Sequence, residues 1–137
     1  MTTEAPSWLP TDVTSALDEK LGIEIIDWNP DRVVARMPVE GNTQPYGLLH
    51  GGATCSLVET VGSYAAALGA GPGAMVMGIE LNATYLLAAT AGHVTAVCTP
   101  VGSELPLAAF VIEVRDDRGQ MTASARLTCM VRPARNA

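Results

Sequence analysis

Glu59 is the only charged residue between Gly51 and Ala70, in a run otherwise made of small, apolar and hydroxyl side chains. Ionising a carboxylate away from water is costly, so a buried one is paired, hydrogen-bonded or shifted in pKa. Two readings are open: an acid placed for base or nucleophilic work, or an acid on a wet helix edge, where charged residues ordinarily sit. Ser63 lies four residues on and would share a helix face with Glu59. Its hydroxyl could orient a water for the carboxylate, or bond back to its own helix. Before the run stands His50-Gly51-Gly52. Two glycines let another group approach the backbone closely. The first N–H groups of a helix have no internal partner and carry partial positive charge. Together they make a candidate oxyanion site, with the Gly51 N–H as preferred donor. His50 either polarises a carbonyl or caps the helix start.

His50 and Glu59 are nine positions apart. On one helix that is a separation of roughly 13–14 Å, too far to grip one carbonyl. A second copy running antiparallel would bring the two together and create two equal sites. Gln44, His50 and Gly51 would then come from one subunit, Glu59 and Ser63 from the other.

The elements that must position these residues are legible in the pattern. Residues 1–12 read as a loose arm with Trp8 tucked down, and 13–137 as a single domain. Thr11 or Asp12 is expected to cap a short helix over 13–20, with Leu17 and Leu21 facing in and Asp18 facing out. Gly22–Trp28 and Arg32–Val39 read as strands joined by Asn29-Pro30-Asp31. A helix from Gly51 to about Gly69 is apolar nearly all round, hence buried nearly all round, with Gly69 its candidate left-handed cap. Four strands are expected after it: Met75–Leu87 with Thr84 and Tyr85 near its centre, Gly92–Val101, Leu107–Arg115 and Met121–Val131, the last two joined by a tight turn at 116–119. Strands around a single helix indicate an α+β domain, an antiparallel sheet of about six strands wrapped around one long central helix.

Composition narrows the partners. Apolar residues make up 48% of the 137 and charged ones 16%, with a net charge of -6. That is too apolar for disorder and argues against nucleic acid, which needs a basic face. No apolar run is long enough to span a membrane, and the first ten residues do not read as a signal peptide. Cys55, Cys98 and Cys129 are odd in number and widely spaced, the pattern of buried reduced thiols in a cytoplasmic protein. No metal or cofactor motif is present. Ala65, Ala66, Ala67, Ala88 and Ala89 suggest room near the site.

Gln44 with Asn42, Gly47, His50-Gly51-Gly52, Glu59 and Ser63, followed by Gly78-Ile79-Glu80-Leu81-Asn82-Ala83-Thr84, resembles the hotdog-fold acyl-CoA thioesterases of the PaaI type, over roughly residues 22–132. It looks closest to those of the menaquinone and enterobactin pathways, which act on aryl-CoA or aryl-carrier-protein thioesters. The resemblance implies a hotdog fold and a homodimer that often assembles further, to a homotetramer. It also implies hydrolysis of an acyl-CoA or acyl-carrier-protein thioester without a cofactor. Glu59 would be nucleophile or general base, Gln44 and His50 would hold the carbonyl, Gly51 would stabilise the oxyanion and Ser63 would place water or the carboxylate. Asn42, Gly52, Asn82, Thr84 and Tyr85 would contact substrate. The sequence departs from the pattern twice. Tyr85-Leu86 stands where relatives place a histidine, and Gly102-Ser103-Glu104-Leu105 replaces a basic turn. Non-catalytic acyl-CoA binding and enoyl-thioester hydration are the alternatives.

Overall fold

The computed structural model describes residues 1–10 and 15–135. Its elements are α1 (Ala16–Leu21), β1 (Glu24–Asn29), β2 (Arg32–Pro38), α2 (Gly51–Ala70), β3 (Met75–Tyr85), β4 (His93–Glu104), β5 (Leu107–Asp116) and β6 (Met121–Arg132). The strands form one antiparallel sheet in the order β1-β2-β4-β5-β6-β3. After β2 the chain crosses the sheet as α2 and returns as β3 on the far edge. The helix therefore lies across one face, packed on β2, β3, β4 and β6. This is the hotdog arrangement the sequence suggested. No helix among the described residues is long and apolar enough to cross a membrane.

Alternation sets which side chains meet the helix. Val94, Ala96 and Cys98 of β4 point inward with Ile112 of β5 and Leu127 of β6, all fully buried. From the helix, Leu57, Val58 and Val61 meet them, also fully buried. Each such side chain contributes about 1.5–3 kcal/mol by leaving water. Gly62 allows the close approach, since a Cβ there would overlap Leu127.

Several local expectations need correction. Thr11 and Asp12 lie outside the described residues, and α1 is capped by Ser15, whose hydroxyl accepts from the Asp18 N–H at 3.3 Å. Leu17 is exposed, whereas Asp18 turns toward α2 and accepts a 2.7 Å bond from the Thr60 hydroxyl. Leu21 does face in, half-buried against the core, and the Asp18–Thr60 bond adds a polar contact to that docking. Gly69 is still helical, and Gly71, at φ +85°, ends α2 by donating its N–H to Ala67. β3 ends at Tyr85, which is its last residue and not its centre. Trp8 is exposed, and the arm is held at Thr2, whose N–H bonds Asp27 Oδ1 while its carbonyl accepts from the Trp28 N–H. The Thr2 N–H holds the Asp27 carboxyl below its ordinary value.

Cys98 and Cys129 are buried as expected; Cys55 is half-buried. Burial, with the neighbouring Cys129, pushes the Cys98 thiol from 9.0 up to about 12. Burial and the Glu59 carboxylate push Cys129 up to about 11, against a lowering bond from Ser63. The unfolded chain ionises these thiols near 9, the folded one only near 11 and 12. Their contribution to stability is therefore complete below pH 9 and lost as pH climbs through 11 and 12. Denaturation midpoints measured from pH 8 upward are expected to fall beyond pH 9. The fall should be shallower in Cys98→Ala.

Candidate functional site

The loop before α2 is built to present Gln44 and His50. Asn42 is buried, and its side-chain amide donates to the carbonyls of Leu21 and Pro38 at 2.7 and 2.8 Å. Its backbone carbonyl accepts the His50 N–H at 2.9 Å. Both of its amide hydrogens are thus engaged, which places Asn42 as the anchor of the loop. A Thr43–Leu49 bridge and a Gln44 N–H to Leu48 carbonyl bond of 2.8 Å close the turn. Gln44 Oε1 accepts from the Tyr46 N–H. That contact fixes the amide orientation and leaves its NH₂ as a donor toward the cavity it lines.

His50 is the N-cap of α2, and its Nδ1 accepts the Gly52 N–H at 2.8 Å. The neutral ring must then carry its proton on Nε2, as a second donor. The capping role and a carbonyl-polarising role are therefore compatible: one nitrogen serves each. The Gly51 N–H, first in the helix, has no acceptor among the described residues. Gln44 NH₂, His50 Nε2–H and Gly51 N–H are three donors on the loop, cap and first residue that open α2, where the helix end carries partial positive charge; Gln44 and Gly51 line one cavity.

Tyr85 covers this end. Its hydroxyl donates to the Gly51 carbonyl at 2.9 Å and lies 3.1 Å from Cys55 Sγ. The bond with Cys55, with burial added, pushes the phenol up to about 12, so it stays protonated and a donor. A Cβ on Gly51 would come within 2.8 Å of the Tyr85 ring end, so a side chain there would push the tyrosine aside. Beside them lies a cavity of about 430 Å³ lined by Gln44, Leu48, Thr54, Tyr85, Leu86 and Ala88 among others. Of the five alanines expected to provide room, Ala88 and Ala89 line this cavity. Ala65 and Ala66 line a second one of about 390 Å³ beside Phe110, at the other end of α2, and Ala67 lines neither.

Glu59 sits elsewhere, on the face of α2 turned to β3 and β6. It is half-buried, not fully buried, and its carboxylate rests on Gly78 of β3. Ser63 lies one turn further along the same face, and the Glu59 charge is close enough to raise the buried Cys129 thiol. Asn82 and Thr84 are exposed on the opposite face of β3, with Asn82 bonded to Glu80, and neither lines the cavity beside Tyr85. Gly52 is exposed, its N–H spent on His50. Within one chain the donors and the acid are not brought together. Thr54 and Cys55 were missed by sequence reasoning; their signal was the spacing of three and four residues from Gly51.

Residues 46–123 match the model of the thioesterase superfamily. The chain belongs to that superfamily. It is 38% identical over 132 residues to the proofreading thioesterase EntH of Cronobacter turicensis, covering 96% of this chain and 94% of that one. It is 39% identical over 102 residues to the 1,4-dihydroxy-2-naphthoyl-CoA hydrolase of Escherichia coli, covering 74% and 75%. A solved thioesterase from Haemophilus influenzae superposes with a TM-score of 0.87 at 31% identity, over 98% and 96% of the two chains. The superfamily assigns the reaction class, hydrolysis of a thioester. The three donors at the start of α2 are the kind of group that reaction needs where negative charge develops on a carbonyl oxygen.

Proposed function

We propose that this thioesterase hydrolyses an acyl-CoA or acyl-carrier-protein thioester at sites built between two copies of the chain. The observation that carries the proposal is the separation on α2: the carbonyl donors lie at its start, and its only acid lies about two turns later. A two-fold pair with antiparallel helices joins one copy's donors to the other copy's acid, twice. The outer edge of β3 supports such pairing. β3 is a long edge strand whose outer side has no partner strand among the described residues, with Met75, Met77 and Ile79 exposed along it. Met75, Met77, Pro106 and Met130 also line an apolar groove that suits further assembly to a tetramer.

In this reading Gln44 and His50 hold the thioester carbonyl and the Gly51 N–H receives the developing oxyanion. Glu59 of the partner subunit takes a proton from water as the water attacks the carbonyl carbon, with Ser63 beside it. In the covalent variant Glu59 attacks directly and water opens the resulting anhydride. Either way one thioester and one water give the free acid and the thiol. The aliphatic wall of Leu48, Leu86 and Leu87 with Tyr85 fits an apolar or aryl acyl group. Asn42 and Gly52 act through the loop and the cap, and Asn82 and Thr84 have no part in the acyl cavity. With eight Lys and Arg in the chain and no basic residue in 102–105, the phosphates of CoA find few cations. Binding energy must then come from the acyl group and the pantetheine arm.

The test is thiol release from aryl- and alkyl-CoA thioesters and from acyl-carrier proteins, with enoyl-CoA hydration as a control. Release with an aryl or medium-length acyl preference supports the proposal. Hydration without release, or no turnover on any thioester, would overturn it.

A further inference from the structure

The Glu59 carboxylate rests on Gly78 of β3. A Cβ built there would overlap Glu59 Oε1 and stand 2.9 Å from its carboxyl carbon. Its φ lies outside the left-handed region, so the backbone does not demand glycine. What is required at this position is empty space. A β-bulge follows: Gly78 pairs with Cys129 and Glu80 with Thr128, leaving Ile79 as the extra residue. The bulge turns Ile79 and Glu80 outward, so that Gly78 and Leu81 both face the helix. Cys129, opposite Gly78 in the sheet, is buried, and the Glu59 charge is near enough to raise its thiol.

We propose that the Gly78–Cys129 rung is a seat for the Glu59 carboxylate, and that Gly78 is a positioning residue that acts by having no side chain. The inference rests on the role given to Glu59 in the proposed function. The seat fixes how far the carboxylate stands from the sheet, with Ser63 one turn further along the same helix. The atoms that a new methyl group would displace are the far end of a flexible side chain, not backbone. Glu59 yields by rotating away, so an added methyl moves the acid while leaving the fold intact. Displacements of about 1 Å at a reacting group can cost about 10²-fold in rate.

Gly78→Ala is therefore expected to lower kcat about 30- to 100-fold, with KM within about twofold and Tm held within a few degrees. Glu59→Asp, one methylene shorter, clears the added methyl. In the Gly78→Ala background it is expected to cost little or to recover activity, whereas in the wild-type background it costs its full effect. A carboxyl ¹³C signal, assigned to Glu59 by its loss in Glu59→Gln, should shift in Gly78→Ala as the group leaves the Cys129 thiol. That readout needs no turnover, so absence of hydrolysis by wild type would sink the proposed function while the seat is still tested. An unmoved Glu59 signal, kcat kept within threefold, additive effects of the two substitutions, or failure of Gly78→Ala to fold would each overturn the inference.

Discussion

Glu59→Gln is expected to lower kcat/KM for thioester hydrolysis by about 10³-fold while leaving the protein as stable as wild type. Glutamine keeps the shape and length of glutamate but can neither take a proton from water nor attack a carbonyl. No hydrogen bond or ion pair is lost among the described residues, where the Glu59 carboxylate makes neither. A half-buried site without such partners changes stability by about 0.5 kcal/mol or less. The loss therefore reports on chemistry and not on folding. Steady-state kinetics with parallel thermal melts separate the two. Retention of activity within tenfold would mean that Glu59 marks only a wet helix edge.

His50→Asn is the second large effect. Asparagine is among the best N-cap residues and can keep the bond to the Gly52 N–H that His50 makes at 2.8 Å. It removes the Nε2–H donor. Hydrolysis is expected to fall about 10²- to 10³-fold, the scale of losing one oxyanion-type donor, with Tm unchanged. His50→Ala removes both functions and should add a stability loss of about 1 kcal/mol. Measured side by side, the pair divides the imidazole's two roles. Wild-type activity in His50→Asn would reduce His50 to a cap.

Much of this architecture is legible in the sequence because local rules act locally. His50-Gly51-Gly52 marks the start of α2, and alternation marks β4, β5 and β6. The errors arise where the deciding partner is distant. Asp18 faces inward because Thr60, 42 residues away, offers a hydroxyl. Cys55 looks like core in an apolar run, but Tyr85, 30 residues on, meets it at the cavity mouth. Tyr85 itself reads as a substitution for histidine. Its bond to the Gly51 carbonyl follows from β3 ending beside the helix start, which depends on the sheet order. The bulge after Gly78 changes the phase of β3 by one residue, and no two-residue period predicts that. Gly69 and Gly71 are both plausible caps by composition; the helix stops where the backbone turns left-handed, at Gly71. The candidate site residues were thus readable as types and spacings, while the walls and seat that surround them were not.

The most direct measurement mixes two inactive proteins. Glu59→Gln and His50→Asn chains are unfolded together, refolded as a mixture and assayed for thiol release. In a mixed pair one site carries both substitutions and the other carries neither. With statistical pairing, half the pairs are mixed, and activity should return to about a quarter of wild type. Activity that stays at the level of the two variants assayed alone would contradict a site shared between subunits.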